Sequence, residues 1–288
     1  MATRRNPAAD RKADDAPWLA RLLAARRPIV MGILNITPDS FSDGGQFVDP
    51  ETAIGHARRM IADGADIIDV GAESTRPYGG AVRVSAAEER RRLEPVLAPV
   101  CAFGTPVSID TMKAEVAAWA IDQGVAMIND VWGLQRDPDM AAVVSQRDVP
   151  VVIMHNRDAA DPAIDIMADI EAYFARSLAI ARAAAVPDHQ IVLDPGIGFG
   201  KTPEQSIEAM ARLERLASFG LPLLVGASRK RFIDTLSPAP PDRRLAGSIA
   251  AHMLSVLNGA AVLRVHDVAE TVQALKVVAA IREHQPPA

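Results

Sequence analysis

Cationic side chains recur at the ends of apolar runs in the sequence, and hydroxyl groups accompany them. Arg76 follows a Ser-Thr pair, and Arg229 and Lys230 follow Ser228. Arg264 lies near the end of the last apolar run. Helix caps are usually Ser, Thr, Asp or Asn, so a capping role does not account for these cations. Guanidinium and ammonium groups form strong hydrogen bonds with phosphate oxygens. The spacing therefore predicts a site for a polyanion.

Carboxylate and amide groups lie at or next to the ends of three other apolar runs, at Asp110, Asn129 and Asp194. Such groups pair with the donor and acceptor edge of a flat heterocycle. Together with the cations they predict a ligand that has a polar ring and a phosphate-like end. For single residues such as Asp130 and Thr111, a capping role at the start of a helix is an alternative that the sequence leaves open.

The densest group of polar residues is the segment from Asn35 to Gly45, which contains hydroxyls, carboxylates and an amide around Phe41. It follows the apolar run Ile29–Leu34, which is typical of a buried strand. A buried strand that leads into such a loop is typical of the rim of an active site, because binding residues are often carried on loops of a rigid scaffold.

The elements that must position these side chains form a repeating pattern of apolar runs and helical stretches. The runs are continuous rather than alternating, as expected for parallel strands that are covered on both faces. Stretches rich in Ala, Arg and Glu with helical periodicity separate most of them. The runs are Ile29–Asn35, Asp66–Gly71, Val107–Asp110, Ala126–Asp130, Val151–His155, Ile191–Asp194, Leu223–Gly226 and Val262–Val265.

This pattern predicts the α/β class and a (β/α)8 TIM barrel, in which the active site lies at the carboxyl ends of the strands. A doubly wound open sheet is the structural alternative, but it usually has fewer strands and its nucleotide fingerprint is absent here. We expect residues 1–28 to form a short mobile extension with a helix over 17–25, and residues 29–288 to form one barrel domain.

Composition excludes several functional classes. The chain has 288 residues, a net charge of −5 and one cysteine, Cys101. The charge predicts no nucleic-acid partner, and one cysteine excludes both an intrachain disulfide and a cysteine-based zinc site. No apolar stretch approaches the ~18 residues of a membrane span, and the first 28 residues lack the apolar core of a secretory signal. We therefore expect a cytoplasmic protein without membrane contact.

Two further motifs carry less weight. The segment Gly196–Thr202 resembles a P-loop, but Pro195 stands where that motif requires glycine, and Lys201 replaces the third glycine of a dinucleotide fingerprint. The histidines are too scattered for a zinc site. His155 follows a strand, and the sequence leaves open whether it binds a ligand or only supports a neighbouring loop.

Taken in order, these motifs resemble those of the dihydropteroate synthase family over about Ile29 to Ile281. The motifs that carry the resemblance are Asn35–Gly45, Asp69–Pro77, Ser108–Thr111, Ile128–Asp130, Leu193–Lys201, Ser228–Lys230 and Arg264–Asp267. The resemblance implies a transferase of folate biosynthesis, the target of sulfonamides. Its substrates would be 6-hydroxymethyl-7,8-dihydropterin diphosphate and 4-aminobenzoate, and its products 7,8-dihydropteroate and diphosphate.

The resemblance also implies a role for each matching residue. The pterin ring would bind to Asp110, Asn129, Asp194, Lys230, Met154 and Gly226. The diphosphate would bind to Thr75, Arg76, Ser228, Arg264 and His266. Aminobenzoate would bind to Phe41, Pro77 and Arg229. Asn35 would bind Mg²⁺, and Asp110, Lys230 and Asn35 would form the catalytic set.

Chemically, the resemblance favours an SN1-like path in which diphosphate leaves before the amine attacks. The alternatives are a pterin-binding barrel that transfers a methyl group from methyltetrahydrofolate to a corrinoid, and a non-catalytic pterin-binding paralogue. The chain departs from the family pattern at Ala72, at Trp132 and in Tyr78–Arg83, and none of these departures falls on the positions that the resemblance assigns to the pterin pocket. A homodimer through the last helices, including Leu245–Leu257, is also implied.

Overall fold

Eight parallel strands close into a barrel in which each strand pairs with its neighbours in sequence order. A computed structural model of the protein describes residues 17–25, 27–36, 49–73 and 84–284. The predicted (β/α)8 barrel is therefore confirmed. The strands are β1 (Ile29–Asn35), β2 (Ile67–Gly71), β3 (Val107–Asp110), β4 (Met127–Asp130), β5 (Val151–Met154), β6 (Ile191–Asp194), β7 (Leu223–Val225) and β8 (Ala260–Val265).

Helices alternate with the strands and cover the outside of the barrel. The helices are α1 (Trp18–Ala24), α2 (Pro50–Ala62), α3 (Ala86–Cys101), α4 (Ala114–Asp122), α5 (Met140–Arg147), α6 (Ile166–Ala183), α7 (Pro203–Ala211), α8 (Arg231–Leu236), α9 (Leu245–Leu257) and α10 (Val268–Glu283). Two of them, α8 and α9, lie between β7 and β8. In the described ranges, no helix combines the length and apolar composition needed to cross a bilayer.

Local sequence explains where several helices begin. Asp49 accepts a hydrogen bond from the Thr52 amide, and Ser85 caps α3 in the same way. At α7, Thr202 and Gln205 bond reciprocally in a capping box, and Pro203 occupies the first turn. These side chains satisfy amide groups that have no partner inside the helix. These caps determine where the loops that follow β1, β2 and β6 end and the next helices begin.

The inside of the barrel contains a layer that we call the apolar floor. It consists of Leu19 from α1 and of Ile29, Met31, Ile67, Met127, Val152, Val192, Leu224 and Val262 from the strands. These side chains are almost completely buried. A second and larger apolar cluster lies between the strands and the outer helices. Polar side chains at the other end of the barrel therefore project from a rigid frame.

Candidate active site

The strand register brings predicted site residues into one row at the carboxyl end of the barrel. Asn35 lies beside Gly71, Gly71 beside Asp110, and Asp110 beside Asn129. A Cβ atom on Gly71 would lie 3.3 Å from the Asp110 Cβ atom, so glycine leaves space for the aspartate side chain. Met154 and Asp194 are paired in the same way between β5 and β6.

One pocket at this end of the barrel contains all six residues that were predicted to bind the pterin ring. It is lined by Asp110, Asn129, Val131, Met154, Asp194, Ile197, Phe199, Gly226, Lys230 and Arg264. The pocket combines carboxylates, an amide and two cations with an apolar wall. Such a combination suits a flat ligand with a polar edge.

Charged groups at the bottom of the pocket form a connected network around Asp69. The Asp69 Oδ2 atom accepts hydrogen bonds from Arg264 Nε at 2.6 Å and from Asn129 Nδ2 at 3.0 Å. Arg264 Nη2 also donates to Asp110 Oδ2 at 2.7 Å. Asp69 is completely buried. One guanidinium therefore fixes the two carboxylates, and Asp69 fixes the amide of Asn129.

Some acceptor atoms of this network have no hydrogen-bond partner among the described residues. They include Asp110 Oδ1 and Asn129 Oδ1, both buried. Buried polar atoms are nearly always hydrogen-bonded, because leaving them unpaired costs free energy. Both residues line the pocket, so a ligand with N–H donors that reaches these oxygens would satisfy them.

The carboxylates of the pocket hold their protons more tightly than ordinary aspartates. Burial raises the pKa of Asp110 to about 7, against the effect of Arg264 and with a contribution from Asp69. Burial also raises the pKa of Asp194 to about 6, although the Gly196 amide donates to it at 2.7 Å. Perturbed carboxylates in a cleft are typical of functional sites.

An aromatic ring and an ammonium group meet on the opposite wall. Lys230 Nζ lies 3.9 Å from the centre of the Phe199 ring, which is a cation–π distance. Phe199 belongs to the loop after β6, and Lys230 precedes α8. The contact joins the loops that follow two neighbouring strands.

Three predicted anion ligands lie at the ends of β7 and β8. The Ser228 hydroxyl contacts His266 Nδ1 at 2.9 Å and accepts a hydrogen bond from the His266 amide at 3.3 Å. Arg264, two residues before His266, projects into the pocket. The structure thus places Ser228 and His266 in contact, beside the cation that reaches the carboxylates.

Comparison with known proteins identifies the family. The profile described as pterin binding enzyme matches residues 31–266. The chain is 47% identical over 253 residues to a dihydropteroate synthase of Clostridium beijerinckii, covering 87% of this chain and 93% of the relative. It is 44% identical to a dihydropteroate synthase of Bacillus subtilis, covering 88% and 89%.

The chain belongs to the dihydropteroate synthase family.

Solved structures of this family have the same fold. A dihydropteroate synthase from Clostridium difficile, crystallised in the presence of pteroic acid, has a TM-score of 0.85 at 47% identity and covers 89% of this chain and 97% of its own. A dihydropteroate synthase from Xanthomonas albilineans with 4-aminobenzoic acid has a TM-score of 0.85 at 44% identity and covers 90% and 94%. The protein is thus a transferase of folate biosynthesis.

Other predicted residues of the dihydropteroate synthase site lie at the mouth of the pocket or outside the described residues. Arg229 has a positive φ of 57° and bonds through its guanidinium to the Asp267 carboxylate. It is not part of the pocket lining. The segments 37–48 and 74–83, which contain Phe41, Thr75, Arg76 and Pro77, lie outside the described residues.

The metal prediction rests on Asn35 at the end of β1. In the described ranges, no group of three or more His, Cys, Asp or Glu side chains is arranged to hold a metal ion. Mg²⁺ prefers oxygen ligands and is often bound by one or two protein groups together with substrate phosphates. An amide oxygen from Asn35 fits that type of site, which substrate oxygens would complete.

Several sequence interpretations can now be decided. Asp130 accepts hydrogen bonds from the amides of Trp132 and Leu134, and Thr111 accepts one from the Lys113 amide, so both side chains stabilise the loops after their strands. Neither caps a helix, because α4 begins after Lys113 and α5 after Asp139. Trp132 is not among the residues that line the pocket, as expected for a departure from the family pattern. It packs behind the lining, against the cluster formed by Val131, Met154 and Phe199.

Sequence reasoning did not single out Asp69 or Phe199. Asp69 lies within the apolar strand Ile67–Gly71, and a charged residue in the middle of a buried strand requires a buried partner. That signal could have identified it, since Arg264 is placed in the same way in β8. Phe199 has no comparable signal, because an aromatic residue in a glycine-rich loop is equally consistent with packing.

Proposed function

We propose that the protein condenses 6-hydroxymethyl-7,8-dihydropterin diphosphate with 4-aminobenzoate to give 7,8-dihydropteroate and diphosphate. The observation that carries the proposal is the meeting of Asp110, Asn129 and Asp194 with Lys230 and Arg264 in one buried pocket. This set provides acceptors for the N–H groups of a pterin ring next to cations for a diphosphate. A relative from X. albilineans has been solved in complex with 7,8-dihydropteroate, which supports the same product here.

In this proposal, the pterin ring lies between the polar row and the apolar wall. The unpaired oxygens of Asp110 and Asn129 accept hydrogen bonds from the ring, and Asp194 accepts another. Lys230 donates to acceptor atoms of the ring, and Met154 and Phe199 contact its faces. Gly226 lines the pocket beside Arg264 and contributes no side chain to the space for the flat ligand.

The diphosphate binds to Arg264, Ser228 and His266, together with Thr75 and Arg76. The contacts of Arg264 with Asp69 and Asp110 use its Nε and Nη2 groups. A guanidinium has five N–H donors, so it can hold a phosphate oxygen as well. Asn35 holds Mg²⁺, which when bound neutralises negative charge on the diphosphate oxygens.

The reaction follows an SN1-like path. The carbon–oxygen bond of the pterin methylene breaks first, and its electron pair leaves with the diphosphate, where Arg264 and His266 stabilise the negative charge. Asp110 stabilises the cationic methylene that is conjugated with the ring. The amine nitrogen of aminobenzoate then forms the new carbon–nitrogen bond and loses a proton. A pre-positioned methylene favours this step by proximity.

Aminobenzoate binds at the mouth of the pocket. Arg229, which the Asp267 carboxylate holds in place, supplies a cation for the carboxylate of this substrate. Phe41 and Pro77 supply apolar contacts to its ring. The X. albilineans relative solved with 4-aminobenzoic acid supports a site for this compound in the fold.

The test combines purified protein, Mg²⁺, the pterin diphosphate and aminobenzoate, and measures diphosphate and dihydropteroate together. Equal amounts of both products are expected when both substrates are present, and dihydropteroate should not form without aminobenzoate. No diphosphate release would remove the proposal. For the SN1-like path, replacing both methylene hydrogens with deuterium should give a normal secondary isotope effect on kcat/KM. An effect of unity would indicate a concerted displacement.

We also propose that the protein is a cytoplasmic homodimer whose contact surface is formed by α9 and α10. A groove on these helices is lined by Leu245, Ile249, Met253, Ala274, Val277 and Val278. Leu254, Leu257 and Ile281 are more than half exposed beside it. Large exposed apolar patches are typical of protein contacts. Light scattering should give the mass of a dimer, and Leu254→Glu should give that of a monomer.

A further inference from the structure

Lys201 is a buried cation that the proposed reaction does not use. It ends the loop after β6 and is 1% exposed. Its Nζ atom lies 2.6 Å from His155 Nδ1, 2.9 Å from the Gly196 carbonyl oxygen and 3.2 Å from the Phe199 carbonyl oxygen. These three acceptors match the three N–H donors of an ammonium group. Lys201 therefore bonds to two carbonyl groups of its own loop and connects that loop to His155, the residue after β5.

The other nitrogen of the His155 ring connects Lys201 to α6. Its Nε2 atom lies 3.0 Å from Asp169 Oδ2, which also accepts a hydrogen bond from Arg157 at 2.8 Å. Burial and the charge of Lys201 lower the pKa of His155 to about 3, so the ring is neutral. The hydrogen-bond network then assigns the proton to Nε2, because Nδ1 must accept from Lys201.

The loop that Lys201 closes packs tightly against the segment after β5. Gly196 has a φ of 66°, and a Cβ atom there would lie 2.0 Å from the His155 carbonyl oxygen. Gly200 has a φ of 53°, and a Cβ atom there would lie 2.4 Å from the Arg157 Cβ atom. Only glycine tolerates both the left-handed conformation and these distances. The loop has little freedom on this side.

On its other side the same loop forms a wall of the pterin pocket. Ile197 and Phe199 line the pocket, and the Phe199 ring lies against the Lys230 ammonium. Gly198 also approaches the Lys230 side chain, since a Cβ atom there would lie 3.2 Å from Lys230 Cδ. A shift of the Phe199 carbonyl would therefore move both the aromatic wall and Lys230.

A buried ammonium is a costly way to hold a loop if only stability is required. Removing a charge from water costs several kcal/mol, and well-packed apolar residues often stabilise a protein as much or more. Lys201 donates to two carbonyl oxygens and to the His155 imidazole, which in turn contacts the Asp169 carboxylate. Hydrogen bonds are directional, whereas apolar packing is not. The three acceptors around Lys201 Nζ therefore fix the position of the loop more narrowly than an apolar side chain would.

We propose that Lys201, held by His155 and Asp169, is a positioning residue for the pterin pocket. It fixes the Gly196–Phe199 wall and, through the Phe199 ring, the ammonium of Lys230. The inference rests on the proposed function, in which this pocket binds a pterin. In this proposal His155 supports the neighbouring loop and does not bind the substrate.

The first experiment replaces the cation by an apolar side chain of similar length. Lys201→Met should raise the KM for the pterin diphosphate by about tenfold or more, the scale on which outer partners of a site act. The KM for aminobenzoate should change less than twofold. Arg59→Met, which removes a cation at an exposed position of α2, is the control. Burial lowers the pKa of Lys201 to about 7, so assays at about pH 6.5 keep the ammonium predominant.

A second pair of variants separates positioning from general stability. In His155→Asn the side-chain oxygen lies near the position of Nδ1 and can still accept from Lys201. In His155→Gln the amide lies near the position of Nε2, so the contact with Asp169 survives and that with Lys201 is lost. We expect His155→Asn to keep most of the pterin affinity and His155→Gln to lose it. Equal losses in both variants, at equal melting temperatures, would overturn the inference.

Hydrogen exchange tests the same inference without a ligand. Amides of residues 196–200 should exchange at least tenfold faster in Lys201→Met than in wild type, while those of α2 should not change. If wild type binds no pterin but this local effect is present, the proposed function fails and the loop role stands. If exchange in the loop is unchanged, or if both KM values rise equally, Lys201 is not a positioning residue. Asp169→Asn weakens the support of His155 without removing it, so we expect smaller changes in the same direction in each measurement.

Discussion

The apolar floor and the layer of charged and amide side chains above it, which we call the polar mouth of the barrel, are formed by the same strands. In sequence the two layers are two residues apart. On β2, Ile67 belongs to the floor and Asp69 to the site. On β4, β6 and β8 the floor residues Met127, Val192 and Val262 are each followed two positions later by a site residue. These site residues are Asn129, Asp194 and Arg264. Because side chains two apart point to the same face of a strand, one step of about 7 Å separates packing from chemistry.

The difference between the layers lies in how buried atoms are satisfied. The floor contains apolar side chains only, so its stability comes from burial and close packing. The mouth contains two buried carboxylates that share one guanidinium, and it leaves oxygens of Asp110 and Asn129 without partners in the described part of the chain. Unpaired acceptors reduce stability but can bind a ligand. Stability and function are thus assigned to different layers.

The largest expected effect is on the floor. Met127→Ala removes most of a side chain that is 1% exposed, and should reduce the free energy of unfolding by about 2–5 kcal/mol. The KM for the pterin diphosphate should stay within twofold of wild type, because the site layer is intact. Urea unfolding followed by circular dichroism measures the first quantity. If the KM for the pterin diphosphate rises well beyond twofold, the floor and the site layer are not independent.

The converse change, at the mouth, is Asp110→Ala. It should reduce kcat by about 10²–10³-fold, the scale of a lost electrostatic contact in the transition state. Steady-state kinetics measures this loss, and Asp242→Ala, at an exposed position, is the matched control. Stability should change little or increase, because Arg264 keeps Asp69 as a partner. A loss of less than tenfold would exclude Asp110 as the group that stabilises the cationic methylene.

The two layers also differ in how far the sequence predicted them. Strands β1, β3 and β6 have the predicted bounds, since long apolar runs leave little choice of register. The pocket residues Asp110, Asn129 and Asp194 were predicted because each lies at or next to the carboxyl end of its strand. Asp69 was not, since the sequence does not reveal that two charges 195 positions apart meet inside the barrel.

A smaller effect concerns pH. Ionised carboxylates accept hydrogen bonds from the pterin, so kcat/KM for the pterin diphosphate should fall as pH decreases through about 7 and 6, the pKa values of Asp110 and Asp194. The fall should be up to about tenfold per pH unit. In Asp194→Asn the lower step should disappear. Met127→Ala should keep the wild-type profile, since no floor residue titrates.

Stability should respond to Asp194 with the opposite sign. Its pKa is raised on folding, so between about pH 4 and 6 the folded chain holds a proton that the unfolded chain has lost. Its contribution to the free energy of unfolding therefore decreases as pH rises through that range. Urea unfolding of wild type and Asp194→Asn at several pH values isolates this contribution. A difference between them that does not depend on pH would contradict the raised pKa.

The smallest effect is expected at the rim, where Arg229 and Asp267 form an ion pair that is partly exposed. Such pairs contribute less than about 1 kcal/mol, because water and salt screen them. Asp267→Asn keeps a hydrogen-bond acceptor for Arg229 but removes the charge. The KM for aminobenzoate should change by at most about fivefold, and that for the pterin diphosphate should not change. Kinetics at low and high salt distinguish the cause, because the effect should shrink as salt increases. A rise in the pterin KM instead would mean that Asp267 acts on the buried pocket through Ser228 and His266, which directly precede Arg229 and Asp267 in sequence and contact each other.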